Sequence, residues 1–282
     1  MTTETTNTAE AARALKARHR AMWAFGDYPA VVTDLVAPLG PVLAGAVGIR
    51  PGDRVLDVAA GSGNAAIPAA EAGASVVASD LTPELLDAGQ REAARRGTRL
   101  QWRQADAEDL PFADGEFDTV MSCLGVMFAP YHQASADELI RVCRPGGTIG
   151  LLNWTPEGFI GQMFATMKPY APAPPPGAQP PPLWGREEHV RALLGDQVTD
   201  VTARCQTLRV SQFGRPEDFR DYFKANYGPT IAVYRALADD PEQTAALDAE
   251  LADLARRHDL GTGNSQSIVM EWEYLLLTAR KR

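Results

Sequence analysis

Residues 52–64 read GDRVLDVAAGSGN, and the fold turns on how they are read. A turn at Pro51-Gly52 leads into a short β-branched and apolar run, Val55 to Val58. Small residues follow, then the alanine-rich helix AAIPAAEAG at 65–73. The unit is strand, glycine loop, helix, and it recurs. ASVVASD (74–80) is a strand ending in an acid. LTPELLDAGQREAARRG (81–97) is a helix with Thr82 as N-cap, Pro83 in its first turn and Gly97 as its stop. TRLQWRQAD (98–106) and FDTVMSCLG (117–125) are the third and fourth strands. SADELIRVCRPGG (135–147) is a helix closed by a Pro-Gly turn, and TIGLLNW (148–154) is the fifth strand. Strands alternating with helices at this length imply βαβ units and a parallel sheet.

Outside this core the pattern changes. Residues 1–10 are polar and read as a structureless tail. Residues 9–25 are helical with Leu15, Met22 and Phe25 on one face, and helices broken by Pro38 and Pro41 follow. Past the fifth strand come a helix over Phe159–Met167, the proline run PYAPAPPPGAQPPPLWG (169–185) and a helix at 186–195. A strand at 198–210 precedes the helical RPEDFRDYFKANYG (215–228). DDPEQTAALDAELADLARRH (239–258) is an amphipathic helix capped by Asp240, with Leu247, Leu251 and Leu254 on one face. SIVMEWEYLLLTARK (267–281) alternates like a strand.

Composition narrows the function classes. The chain has 282 residues, 45% hydrophobic and 22% charged, the balance of a globular protein. Its formal charge of −9 is spread without a basic footprint, which argues against a nucleic-acid partner. No apolar run spans a bilayer and no secretory signal opens the chain, so no membrane partner is expected. Cys123, Cys143 and Cys205 are odd in number and widely spaced, the usage of a cytoplasmic protein with no zinc or redox pair.

The glycine loop carries the first chemical signal. Gly61-Ser62-Gly63-Asn64-Ala65-Ala66 satisfies a G-x-G-x-x-A dinucleotide fingerprint, although a bare turn reads the same way. Three acids sharpen it. Asp57 lies inside the end of the first strand, Asp80 ends the second and Asp106, followed by Ala107, ends the third. Acids at the carboxyl ends of three successive parallel strands converge on one crevice. There Asp80 can accept both hydroxyls of a ribose, and Asp106 can meet an adenine amino group.

The stretches VLDVAAGSGN, VVASDLTPELL, ADAEDLPFADGEFDTVMSCLGVMF and ELIRVCRPGG, in this order, resemble the class I S-adenosylmethionine-dependent methyltransferases. The likeness is strongest to the ubiquinone/menaquinone-biosynthesis type and covers residues 20 to 155 or so. The resemblance implies that Asp57 and the loop Gly61–Gly63 hold the methionine part of the cofactor. It implies that Asp80 takes the ribose, Leu81 lies beside the adenine, and Asp106-Ala107 reads the adenine. The backbone at Cys123-Leu124 would lie near the sulfonium. Ala59 stands where the family has its first loop glycine, a mild change. A nicotinamide site would need neither the carboxylate inside the strand nor Asp106.

The acceptor is narrowed by what is missing. After the fourth strand stands SCLG, where base-amino methyltransferases carry Asn/Asp-Pro-Pro-aromatic, catechol-type enzymes a metal-binding acid and arginine methyltransferases paired glutamates. A small apolar or aromatic acceptor, such as a natural product or a quinone, methylated at oxygen, nitrogen, sulfur or carbon without a metal remains. Tyr28 and His132 are the candidates for a catalytic role, although His132 at a helix start suits a cap or the surface. His19, His189 and His258 read as surface positions. Trp23 and Tyr28 are candidates to close the site, and Trp154, beside Asn153, and Trp184 are candidates to line an acceptor pocket.

The expectation is a Rossmann-like seven-stranded mixed α/β sheet, its last strand antiparallel, with helices on both faces. Residues 1–50 form a tail and capping helices, 51–155 the S-adenosylmethionine-binding core, and 156–196 an insertion whose proline run is a stiff lid over, or a wall of, the acceptor pocket. Residues 197–282 hold the last two strands with a helical cap over 214–262. A non-catalytic cofactor-binding or regulatory protein and a macromolecule-modifying enzyme are the alternatives. Acceptor identity, methylated atom and oligomeric state are open.

Overall fold

The computed structural model describes residues 2–261 and 267–282. Helix α1 (Thr2–Trp23) is followed by the short α2 (Tyr28–Val31), which runs on as a π-turn over Val32–Val36, and by α3 (Leu39–Ala46). The repeating core is β1 (Arg54–Val58), α4 (Ala66–Glu71), β2 (Ser75–Asp80), α5 (Pro83–Arg95), β3 (Gln101–Gln104), β4 (Phe117–Cys123), α6 (His132–Val142) and β5 (Cys143–Trp154). Then come α7 (Phe159–Met167), α8 (Glu187–Leu194), β6 (Val198–Val210), α9 (Pro216–Asn226), α10 (Gly228–Ala236), α11 (Pro241–Arg257) and β7 (Met270–Lys281).

The seven strands form one sheet in the order β3-β2-β1-β4-β5-β7-β6. β1 to β5 pair in parallel, and β7 runs antiparallel between β5 and β6. Central strands covered on both faces need continuous apolar side chains, and Val55, Leu56 and Val58 of β1 are fully buried. The strand order reverses between β1 and β4, and at such a switch point the two following loops diverge and leave a crevice.

Helices α7, α9 and α11 pack together as a cap beyond the carboxyl end of β5 and beside the start of β7. Aromatic rings join it to the sheet. Phe159 of α7 stacks on Trp272 of β7 with 5.6 Å between centroids, and Phe219 of α9 meets Phe159 edge-on at 5.0 Å. All three are fully buried, each burial stabilising by about 1.5–3 kcal/mol. Asp240 caps α11 by accepting the Gln243 N–H at 3.0 Å, and Leu247, Leu251 and Leu254 face inward as their spacing requires.

Four local expectations change. The residues read as a tail are helical from Thr2 onward; residue 1, like the far end of the 214–262 insertion, lies outside the described residues. Thr82 sits at the N-cap of α5, but the Asp80 carboxylate takes the Thr82 N–H instead of a threonine side-chain cap. The Pro-Gly turn after α6 lies within β5, whose register against β4 shifts there to absorb it. The helix read over 215–228 ends at Asn226, and Gly228-Pro229 opens α10, because proline is pre-formed for a first helical turn.

Candidate active site

A cleft with about 640 Å³ of empty space, counting its mouth, opens at the carboxyl ends of β1, β2 and β3. Its floor is the loop after β1. Ala59 and Gly61 adopt φ of +53° and +56°, so the chain turns sharply and presents backbone rather than side chains. Leu124, after β4, is also left-handed at +59°. The two loops touch: a Cβ added to Gly125 would stand 2.0 Å from the Ala59 carbonyl oxygen. Ser122 fastens them, donating to the Val58 carbonyl at 2.7 Å and accepting the Val126 N–H at 2.9 Å.

The acids differ in what they have to bind. Asp80 accepts the N–H of Gly61 and that of Thr82, both at 2.8 Å. Burial raises its pKa and these donors oppose the rise. Each carboxylate oxygen retains a second lone pair for a ligand. Asp57 is 1% exposed, and neither oxygen completes a hydrogen bond among the described residues. Burial pushes its pKa up to about 8, the Ala66 N–H easing the charge and Asp80 adding to the penalty. An orphaned carboxylate beneath a glycine loop suits a cationic group arriving from outside. Asp106 is engaged already: Lys16 of α1 donates to it at 2.9 Å and also to Glu108.

A smaller cavity of about 340 Å³, again counting its mouth, lies alongside. Tyr28, Leu124 and Phe128 line both spaces. Trp154, Ile160, Phe223, Tyr227 and Trp272 complete most of the second wall. Trp23 joins the rings, edge-on to Tyr28 at 5.2 Å, Phe128 at 4.7 Å and Tyr227 at 5.7 Å.

The expected residues fall into three groups. Ala59, Gly61, Asp80, Leu81, Asp106, Ala107, Trp23 and Tyr28 line the cleft, and Trp154 lines the second chamber. Asp57, next to last in β1, and Cys123, last in β4, do not form the cleft wall, while Gly63 lines a separate groove. Burial and the neighbouring Asp57 push the Cys123 thiol up, so it stays protonated. Trp184 and His132 belong elsewhere. Trp184 is fully buried against His132, with rings 5.5 Å apart, and walls neither cavity.

His132 is neither a surface residue nor a base in the crevice. It is fully buried, and its Nδ1 lies 2.9 Å from His189 Nε2, which ties α6 to α8. Burial, then His189, pulls its pKa down to about 4. Neither His189 nor His258 is free on the surface, since His258 bonds Gln162 at 3.1 Å. His19 lines the cleft, one turn from Lys16 on α1. The spacing Lys16, His19, Trp23 marks one helix face and could have shown this. Tyr227 and Trp272, by contrast, enter from a helix corner and the last strand.

The last residues of the proline run, Pro181–Gly185, pack inward against β5 and Val126–Phe128 with Trp184 fully buried. Gln179 N–H donates to the Pro130 carbonyl at 2.9 Å, Tyr170 bonds Glu250 at 2.8 Å, and no residue of the run lines either cavity. The stretch before Pro181 runs over Pro130-Tyr131.

Residues 55–147 match the methyltransferase domain family. An uncharacterized protein of Mycobacterium tuberculosis is 57% identical over 93% of this chain and 94% of its own length. A demethylmenaquinone methyltransferase of Clavibacter sepedonicus is 42% identical over 35% of this chain and 40% of its own. The crystal structure of YcgJ from Bacillus subtilis shares the fold, with a TM-score of 0.58 at 18% identity, over 87% of this chain and 98% of that one. With the seven-stranded sheet, the switch-point cleft and its orphaned acid, these matches place the chain among the class I S-adenosylmethionine-dependent methyltransferases, enzymes whose cofactor is S-adenosylmethionine.

Proposed function

We propose that this enzyme methylates a small organic acceptor in the cytoplasm, without a metal, and that nucleic acids and membranes are not its partners. One observation carries the reading: Tyr28, Leu124 and Phe128 line both the cofactor cleft and a smaller ring-walled cavity beside it, a space on the scale of a small molecule rather than a macromolecule. Bound S-adenosylmethionine supplies a methyl group already activated as a sulfonium substituent.

The chain's own residues then bind, orient and exclude water. Asp57 and the N–H groups of the loop hold the charged amino-acid end, Asp80 the ribose and Asp106-Ala107 the adenine. The rings of Trp23, Tyr28 and Phe128 wall the cleft beside the second space and help exclude water, so that positioning rather than acid–base chemistry is the main contribution. The second chamber's lining offers no base among the described residues, which fits acceptors that need none or lose their proton to water.

The test is incubation with methyl-labelled cofactor and a cell extract split by size. Label should enter the fraction below about 1 kDa, the mass range of small molecules that a pocket of this kind encloses. Label in protein or nucleic acid alone, or in nothing while S-adenosylhomocysteine still binds, would overturn the reading in favour of a macromolecular substrate or a non-catalytic role.

A further inference from the structure

Helix α1 lays one face along the cofactor cleft. Lys16, His19 and Trp23 all line it, and the helix advances about 10 Å from the first to the last. Both ends of this face are fixed. Lys16 donates to Asp106 at 2.9 Å and to Glu108, while Trp23 meets Tyr28, Phe128 and Tyr227 edge-on. His19 is held between these anchors, in a space that Asp80, Leu81 and Leu85 also line. Neither of its ring nitrogens completes a hydrogen bond among the described residues. The binding scheme above leaves this imidazole without a task.

The charges around it decide its protonation. Lys16 and Arg18 stand on the same helix, and Arg20 pairs with Glu84 of α5 at 3.6 Å. Asp106 and Glu108, beyond β3, are held by Lys16; Asp80 of β2 and Tyr28 of α2 line the same cleft. Burial lowers the pKa of His19 most, Lys16 and Arg18 lower it further, and Asp106 opposes them. At neutral pH the ring is therefore neutral, one nitrogen donating and the other accepting. Proton uptake in acid turns the acceptor into a second donor and adds a positive charge beside Lys16 and Arg18.

We infer that His19 is a cofactor-binding residue that responds to acid: its neutral ring bonds the adenosine part of the cofactor, and protonation of the ring loosens that hold. Ribose hydroxyls and an adenine edge present donors and acceptors together, and only the neutral imidazole matches both. His19 stands outside residues 55–147, so the matched domain gives it no part. The inference rests on the cofactor's place in the cleft.

The probe is 5′-methylthioadenosine, which carries the adenosine part and lacks the amino-acid end that Asp57 faces. Its affinity for the full chain is read by ligand-observed NMR at about pH 7.5 and about pH 5, on either side of the ordinary histidine range. The native chain is compared with His19→Gln, which keeps a donor and an acceptor but does not titrate, and with His19→Leu, which keeps neither. Circular dichroism confirms the fold of each. Asp80 titrates in all three alike, so the comparison with His19→Gln isolates His19. At the higher pH His19→Gln should bind within about two-fold of the native chain, and His19→Leu about five-fold more weakly. On acidification the native chain should lose about three-fold more affinity than His19→Gln. Equal acid losses in those two chains, or native affinity in His19→Leu, would overturn the inference. So would a native chain that binds S-adenosylhomocysteine but not the probe. A native chain that binds neither would instead strike the placing of the cofactor itself.

Discussion

At the scale of single residues, Asp57 has the most to explain. Burial keeps its carboxyl protonated up to about pH 8, whereas in the unfolded chain the proton leaves near pH 4, about the ordinary value for aspartate. The folded state therefore binds one more proton between those limits. That contribution to stability is fully present below about pH 4 and is lost as pH rises through about 8. Asp57→Asn keeps the neutral form at every pH. Its stability relative to the native chain should climb from about pH 4 to about pH 8 and level off above, as read by urea unfolding across that range. A difference that did not change with pH would mean that Asp57 is ionised throughout. Asp57, Asp80 and Asp106 were legible in the sequence because each lies within two residues of a strand's carboxyl end, although β3 stops at Gln104 rather than at the expected Asp106. Tyr227 and Trp272 were not. Nothing in NYG or EWE announces a cavity, and their placing depends on which strands become neighbours.

Elements show why local pattern reaches only so far. Helix α1 lays Lys16, His19 and Trp23 against the cleft, and Lys16 joins it to Asp106 and Glu108 beyond β3. The pairs are partly buried, so they are screened less than surface pairs. Lys16→Met should loosen α1 and speed S-adenosylhomocysteine release about ten-fold in stopped-flow displacement, the size expected for a charged hydrogen bond. An unchanged release rate would mean that α1 does not hold the cofactor. The proline run teaches the opposite lesson. Its extended course was legible from composition, yet composition does not say which surface an extended segment lies upon. Because Pro174–Pro176 line neither cavity, replacing them with Gly-Ser-Gly should leave both methyl transfer and cofactor affinity unchanged. Label transfer and calorimetry check this, and a loss of transfer with affinity intact would restore a lid over the acceptor pocket.

Across the whole molecule, the parallel half of the sheet was legible because each βαβ unit is built from neighbours in sequence. The cap was legible only as helices. What welds it to the sheet is the cluster of Phe159, Phe219, Phe223 and Trp272, drawn from three separate parts of the chain. Phe219 is fully buried at its centre, so Phe219→Ala should cost about 3–5 kcal/mol in urea unfolding. A loss below about 1 kcal/mol would mean that the cap docks loosely, since only a site able to collapse loses so little.

The position of β7 has a consequence for how the protein is made. β7 lies between β5 and β6, although the ribosome completes β6 first. Until β7 emerges, β5 lacks one neighbour and β6 has no strand to pair with. Chains fold progressively as they are synthesised, so the half that receives the cofactor can assemble on the growing chain, while the chamber walled by Trp272 waits for β7. On the proposed reading, the grip on the methyl donor forms before the place for what is to be methylated.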